Sequence, residues 1–279
     1  MEQHYRGSGT KRLKLHQLED GTYRVLRFRM PEVKKSRSIR IFLPHDYDYS
    51  SKHYPVLYVL DGQNIFSDCT SEMGAGWCLN ENLDGLMWEG RTQGCIVVGI
   101  ENARLGRGVE YNPTEGGEAH AHFIAHALKP RIDAVFRTKP GREHTGIAGS
   151  SAGGVMALFI GLKYQEIFSK IGAFSAAIFW APRGLHNFKK HFPMKIYIDL
   201  GTIEHEGWDD VTKDYEWSIY WYHAYLLKIG FTMQETCIVQ EKNGRHNERD
   251  WARRFPFAYL WLYEHQFAKD KLVECVYVE

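Results

Sequence analysis

The chain has 279 residues, 44% hydrophobic and 25% charged, with no composition shift that marks a linker, so residues 1–279 read as one globular domain with a sizeable core. Its 35 lysines and arginines balance 34 acidic residues to a net charge of +1, which excludes the basic stripe of a nucleic-acid binder and any acidic tail. No run nears the roughly 20 apolar residues that span a bilayer, the N-terminus lacks the apolar core of a signal peptide, and the five cysteines are scattered without C-x-x-C. A cytoplasmic protein without membrane, nucleic-acid or metal partners is expected.

In chain order, residues 11–18, 22–30 and 36–44 alternate apolar with polar or carry β-branched side chains, the pattern of antiparallel strands with one wet face. From residue 55 onward the pattern changes to short continuous apolar runs: 55–60, 95–100, 145–149, 170–176, 195–200 and 235–240. Such runs belong to parallel strands buried on both faces. Helical stretches fall between them at about 77–88, 118–137, 152–165, 211–229 and 247–268. Pro130 and Pro256 lie inside two of these stretches and are expected to kink or restart them. The fold class is therefore α/β: a mostly parallel central sheet, antiparallel strands at the N-terminal side, helices on both faces.

The chemistry gathers at TGIAGSSAGGVMALFIGL, residues 145–162. Gly149-Ser150-Ser151-Ala152-Gly153 is a G-x-S-x-G frame between a strand and a helix, where a sharp turn exposes the central hydroxyl and admits only small neighbours. A glycine-rich turn that merely packs a helix on a strand leaves the same letters; the flanking strand and helix select Ser151 as a nucleophile. Helix amides just past it, Ala152 first, point toward a negative charge forming beside it.

A serine hydroxyl needs a base, and the base needs an acid; in this arrangement they follow in the order Ser, acid, His. Fourteen histidines make any one of them a weak signal, so the filter is position: a loop just past the carboxyl end of a parallel strand. After 195–200 comes GTIEHEGWDD, offering Glu204 with Glu206 and Asp209 as competitors; after 235–240 comes EKNGRHNERDW, offering His246. A second oxyanion donor is expected after strand 55–60, where Gly62 admits close backbone approach and the Gln63 amide can face the site. Asp61 reads as a turn residue without a chemical part.

Other clusters carry less. His122 and His126 have metal-like i, i+4 spacing but no third ligand, and the acidic stretch around His205 to Asp210 reads as a loop. The aromatic helix over 214–230 reads mainly as core, while Trp180 and Trp208, in loops, are candidates to line an acyl or alcohol pocket. Arg107, Glu110 and Tyr111 are expected to tie a loop beside the oxyanion site, with substrate binding by Arg107 the weaker reading.

Together YPVLYVLDGQNIF, VVGIENARLGRGVEYNP, EHTGIAGSSAGG, IDLGTIE and GRHNERDWARRFP resemble the putative-esterase family of α/β-hydrolases, which includes feruloyl esterases, siderophore esterases and S-formylglutathione hydrolases. The resemblance runs from about SIRIFLP to the last helix. It implies Ser151 as nucleophile, Glu204 as acid, His246 as base, and the amides of Gln63 and Ala152 as oxyanion hole. Ala152 stands where the family often has Met, and Glu204 where it often has Asp. The implied activity is cofactor-free hydrolysis of small or carbohydrate-linked esters. Acyl transfer through the same nucleophile, or a binding protein that keeps the fold without turnover, are the alternatives.

Overall fold

A computed structural model describes residues 2–5, 13–18, 21–30, 35–264 and 276–278. Four strands come first: β1 (Glu2–Tyr5), β2 (Leu13–Gln17), β3 (Tyr23–Met30) and β4 (Lys35–Phe42). They pair antiparallel in sequence order, as the alternation led us to expect for β2 to β4; β1 was not expected, and residues 11 and 12 of the first expected strand lie outside the described ones. β4 then joins β6 (Ile96–Ile100), again antiparallel, and from there every pairing is parallel. The remaining strands are β5 (Val56–Leu60), β7 (Thr145–Ser150), β8 (Lys170–Phe174), β9 (Lys195–Gly201), β10 (Thr236–Glu241) and β11 (Val276–Val278). The sheet order is β1-β2-β3-β4-β6-β5-β7-β8-β9-β10-β11.

Strand period and apolar content explain the two layers. Successive side chains point to opposite faces. Along β5, Val56, Tyr58 and Leu60 enter one core while Leu57 and Val59 enter the other. A continuous apolar run is thus what a strand covered on both sides needs, and each fully buried Val or Leu contributes about 1.5–3 kcal/mol. On the second face lie α1 (Leu79–Trp88), through Leu79, Leu83 and Leu86, and α7 (Glu248–Tyr263), through Trp251, Phe255 and Tyr259. The first face is covered by α3 (Gly117–Phe123), α4 (Lys129–Val135), α5 (Ala152–Lys163) and α6 (Asp209–Lys228); the short α2 (Arg107–Glu110) sits beyond the end of β6.

The two prolines behave differently. Pro130 occupies the first turn of α4, where its missing N–H is tolerated, and a wider π turn at Ile124–Leu128 precedes it, so the helical stretch restarts as expected. α7, by contrast, runs through Pro256 without interruption. Neighbouring Phe255, Ala258 and Tyr259 are all buried against the sheet, and that packing outweighs the single backbone hydrogen bond Pro256 cannot make. The helix expected over 247–268 ends at Tyr263; residues 265–268 lie outside the described ones. No helix among the described residues is long and apolar enough to cross a membrane.

Candidate active site

β7 ends at Ser150 and α5 begins at Ala152, leaving Ser151 between them at φ 56° and ψ −125°. L-residues rarely adopt that backbone, which costs of the order of 1–3 kcal/mol. Two hydrogen bonds to the neighbouring strand end hold it: the Ser151 amide donates to the Phe174 carbonyl at 2.9 Å, and the Ala177 amide donates to the Ser151 carbonyl at 3.1 Å. The glycines answer the tightness of the bend. A Cβ at Gly149 would lie 2.5 Å from the Gly153 carbonyl oxygen, inside any allowed contact. Ser150 is buried beneath the bend, and Ser151 is the half-exposed hydroxyl.

Glu204 and His246 arrive on the loops after β9 and β10, which are parallel neighbours. Backbone bonds latch the two loops together: Thr202 amide to Glu241 carbonyl at 2.9 Å, Ile203 amide to Gly244 carbonyl at 3.0 Å, His246 amide to Glu204 carbonyl at 3.1 Å. So close is the approach that a Cβ on Gly201 would fall 1.9 Å from the Gly244 oxygen. The result is a 2.7 Å contact between Glu204 Oε2 and His246 Nδ1. The other Glu204 oxygen, Oε1, accepts from the Ser175 hydroxyl at 2.8 Å and from the Gly201 amide. Burial alone would raise this carboxyl; His246, the Gly201 amide and the Ser175 hydroxyl outweigh it and hold the group below the usual range. Of the competing acids, Glu206 pairs with Arg245 at 3.1 Å on the surface, and Asp209 opens α6 exposed to solvent.

The imidazole of His246 is walled by rings. His205 stacks on it at 4.9 Å, Trp251 meets it edge-on at 5.0 Å, and Tyr215 tilts over it at 5.0 Å. Its far nitrogen, Nε2, lies 3.5 Å from the Tyr215 hydroxyl, which also interacts with Ser151. Ser151 and His246 line one cavity of about 210 Å³ with Asp61, Asn64, Glu72, Arg107 and Glu248, and no hydrogen bond joins the two directly. Tyr215 is a site residue that sequence reasoning missed: its letters belong to an aromatic helix that otherwise reads as core, and its neighbours Tyr222 and Leu226 are indeed buried there. Further along the same helix Trp217, Trp221 and Tyr225 stack on one another in succession at its outer side, with Trp217 exposed.

At the opposite wall, Asp61 departs from the turn-only expectation. Its Oδ1 accepts from Asn102 at 2.7 Å and from Arg107 Nε at 2.8 Å, and its Oδ2 from Arg107 Nη2 at 2.7 Å. The Asp61 amide donates to the Tyr111 hydroxyl at 3.0 Å, and Glu110 accepts from the Ala103 amide at 3.1 Å and pairs with Arg37. Burial works to lower the Arg107 guanidinium, and the hydrogen bonds and charge of Asp61 more than reverse it and hold it above its ordinary value. Arg107, Glu110 and Tyr111 thereby tie the loop after β6 to the turn after β5. Within that turn the Gly62 and Asn64 amides are taken by the Ile100 and Asp61 carbonyls at 2.8 Å each, whereas the Gln63 amide, like that of Ala152, has no acceptor among the described residues. Trp180 (43% exposed) and Trp208 (69% exposed) are not among the residues lining the Ser151 cavity; Trp208 flanks a separate groove with Asp209, Asp210 and Lys213.

A sequence profile of the family described as Putative esterase matches residues 31–262. The uncharacterised protein YbbA of Bacillus subtilis (strain 168) is 25% identical over 244 residues, 82% of this chain and 93% of that one. Among solved structures, an IroE-like serine hydrolase from Shewanella oneidensis aligns with a TM-score of 0.66 at 19% identity, over 86% of this chain and 80% of that one. A ferulic acid esterase from Anaeromyces mucronatus, solved in complex with ferulic acid, aligns with a TM-score of 0.63 at 19% identity, over 94% of each chain. The fold is that of the α/β-hydrolases, as the resemblance implied, and its α/β layering is the one the strand and helix pattern led us to expect.

Proposed function

As the chain belongs to the Putative esterase family, we propose that it is a serine carboxylic-ester hydrolase working through an acyl-enzyme, with Ser151 as nucleophile, His246 as base and Glu204 as acid. One observation carries the reading: a buried carboxylate 2.7 Å from His246 Nδ1 turns the opposite edge of that ring toward the cavity that holds a strained, half-exposed serine. Ser151 Oγ attacks the ester carbonyl, and His246 Nε2 takes its proton and returns it to the leaving alcohol. The unengaged amides of Gln63 and Ala152 supply the donors for the oxyanion, and losing one such donor typically costs roughly 2.7–4 kcal/mol of transition-state stabilisation. Water then hydrolyses the acyl-enzyme, with His246 acting in reverse. No metal or organic cofactor enters any of these steps.

A cavity of about 210 Å³ suits a small acyl or alcohol group, and a carbohydrate-linked ester would leave its sugar outside. The described cysteines Cys69, Cys78, Cys95 and Cys237 form no disulfide with one another, which suits the cytoplasmic setting expected from the sequence. The test pairs a chromogenic short-chain ester with a fluorophosphonate that labels activated serines. Turnover and labelling at Ser151, both lost in Ser151→Ala, are expected. Equal turnover in the variant removes the nucleophile, and a wild-type protein inert to both reagents removes the esterase reading in favour of a non-catalytic one.

A further inference from the structure

Ser175 follows β8 directly, with φ 40° and no exposed surface. Its backbone is pinned by Asp199: the Ser175 amide donates to the Asp199 carbonyl and to Asp199 Oδ1, both at 3.0 Å. Its hydroxyl has three neighbours. Trp251 Nε1 donates to it at 2.9 Å, Arg254 Nη2 donates to it at 2.9 Å, and Glu204 Oε1 lies 2.8 Å away. An indole N–H and a guanidinium can only donate, and a hydroxyl has two lone pairs and one proton. Both lone pairs are therefore taken, and the only direction left for the proton is Glu204.

That constraint reaches the imidazole. With the Ser175 hydroxyl and the Gly201 amide both on Oε1, only Oε2 is left for His246. The donors behind Ser175 are themselves fixed. Arg254 Nη1 donates to Glu241 at 3.0 Å, and Arg254 Nε lies 3.1 Å from Asp199 Oδ2 as an ion pair, at an angle that makes no hydrogen bond. Tyr197 adds a hydroxyl to Asp199 at 2.9 Å. Burial pushes the Asp199 carboxyl up to about 6, against the pull of Arg254, the Ser175 amide and Tyr197.

We propose that Ser175 is the positioning residue of this site: its hydroxyl, polarised by Trp251 and Arg254, holds the Glu204 carboxylate in the one orientation that aligns His246. The inference rests on the esterase reading above. A purely structural Ser175, there only to give Trp251 and Arg254 an acceptor, would affect stability and leave the chemistry alone.

Two substitutions separate these roles. Ser175→Ala removes the hydroxyl and keeps a side chain at a positive φ; Ser175→Gly removes the hydroxyl and relieves that backbone. Each is measured for kcat and KM on the chromogenic ester, for melting temperature, and by proton NMR for the low-field signal of the hydrogen between His246 and Glu204. In both variants kcat is expected to fall about 10–100-fold, the size usual when an outer partner of a functional ligand is lost, with KM within about twofold. The low-field signal moves in both, whatever the melting temperature does, and an Ala variant that fails to fold leaves the Gly variant to decide. A kcat within about threefold of wild type with an unmoved signal overturns the proposal. If the wild type turns over ester and the Ser175 variants behave like it, this inference alone fails. A wild type without turnover or fluorophosphonate labelling takes the esterase reading and this one down together.

Discussion

The two edges of the His246 ring are built differently. On the Glu204 side both carboxylate oxygens have partners, the contacts are short, and two loops from adjacent strands are sewn together by backbone bonds. On the Ser151 side the ring nitrogen lies 3.5 Å from the Tyr215 hydroxyl, and the ring shares an open cavity with a serine on another loop, to which no hydrogen bond runs. On the proposed reading this asymmetry is what a base acting on an ester carbonyl needs: preorganisation where no atom moves, room where one must enter.

The comparison can be broken most directly at the tight edge. Glu204→Gln replaces an acceptor by an amide that favours the wrong imidazole tautomer, and kcat is expected to fall about 10⁴-fold with the fold intact by circular dichroism. Next is Gly201→Ala, whose methyl would overlap the Gly244 carbonyl and force the loops apart. A displacement near 1 Å is enough for a loss of about 10²-fold in kcat, and the melting temperature should drop as well, read by a thermal scan. At the loose edge, Tyr215→Phe removes a long, neutral hydrogen bond, so kcat/KM should fall only about threefold to tenfold. A loss as large as that of Glu204→Gln would mean the two edges are equally organised.

Acid provides a fourth, smaller probe. Because the folded Glu204 carboxyl sits below its unfolded value, near 4.3 for a free glutamate, its contribution to stability is complete above that range. It is lost as pH falls through the folded value. Chemical unfolding of wild type and Glu204→Gln should therefore show a constant gap from about pH 5.5 to 8 that closes below about pH 4; a gap that widens in acid would mean the carboxyl is not held ionised. The smallest effect belongs to Trp208→Ala, since that ring stands outside the Ser151 cavity: kcat/KM for a short-chain ester should stay within about twofold.

Much of this was readable in the chain because the signals are local. Apolar runs of five to seven residues locate β5 to β10 within a residue or two, and the strand–GSSAGG–helix context gives the bend at Ser151. Glu204 and His246 were picked out by their place after β9 and β10, without knowing that those strands are neighbours, and the structure brings the two side chains together. Choosing Glu204 over Glu206 and Asp209 on residues alone was out of reach, since all three follow β9 closely in sequence and the latch to Gly244, which turns the first of them inward, is a contact between two loops. Tyr215 and Ser175 left no local trace. Each acquires its meaning from partners on other elements: Ser151 and His246 for the tyrosine, Glu204, Trp251 and Arg254 for the serine. The uninterrupted helix through Pro256 is of the same kind, a backbone preference overruled by what it is packed against.

The latch between the loops after β9 and β10 also bears on how such a site diverges. Its bonds run through backbone amides and carbonyls, whose pairing does not depend on side-chain identity beyond the glycines that let the strands close up. Mutational drift in the rim segments can therefore reshape the mouth of the cavity while the proton-handling pair passes unaltered from ancestor to descendant. A fixed pair behind exchangeable entrances is a physical route by which chains sharing this latch could come to admit differently shaped ligands.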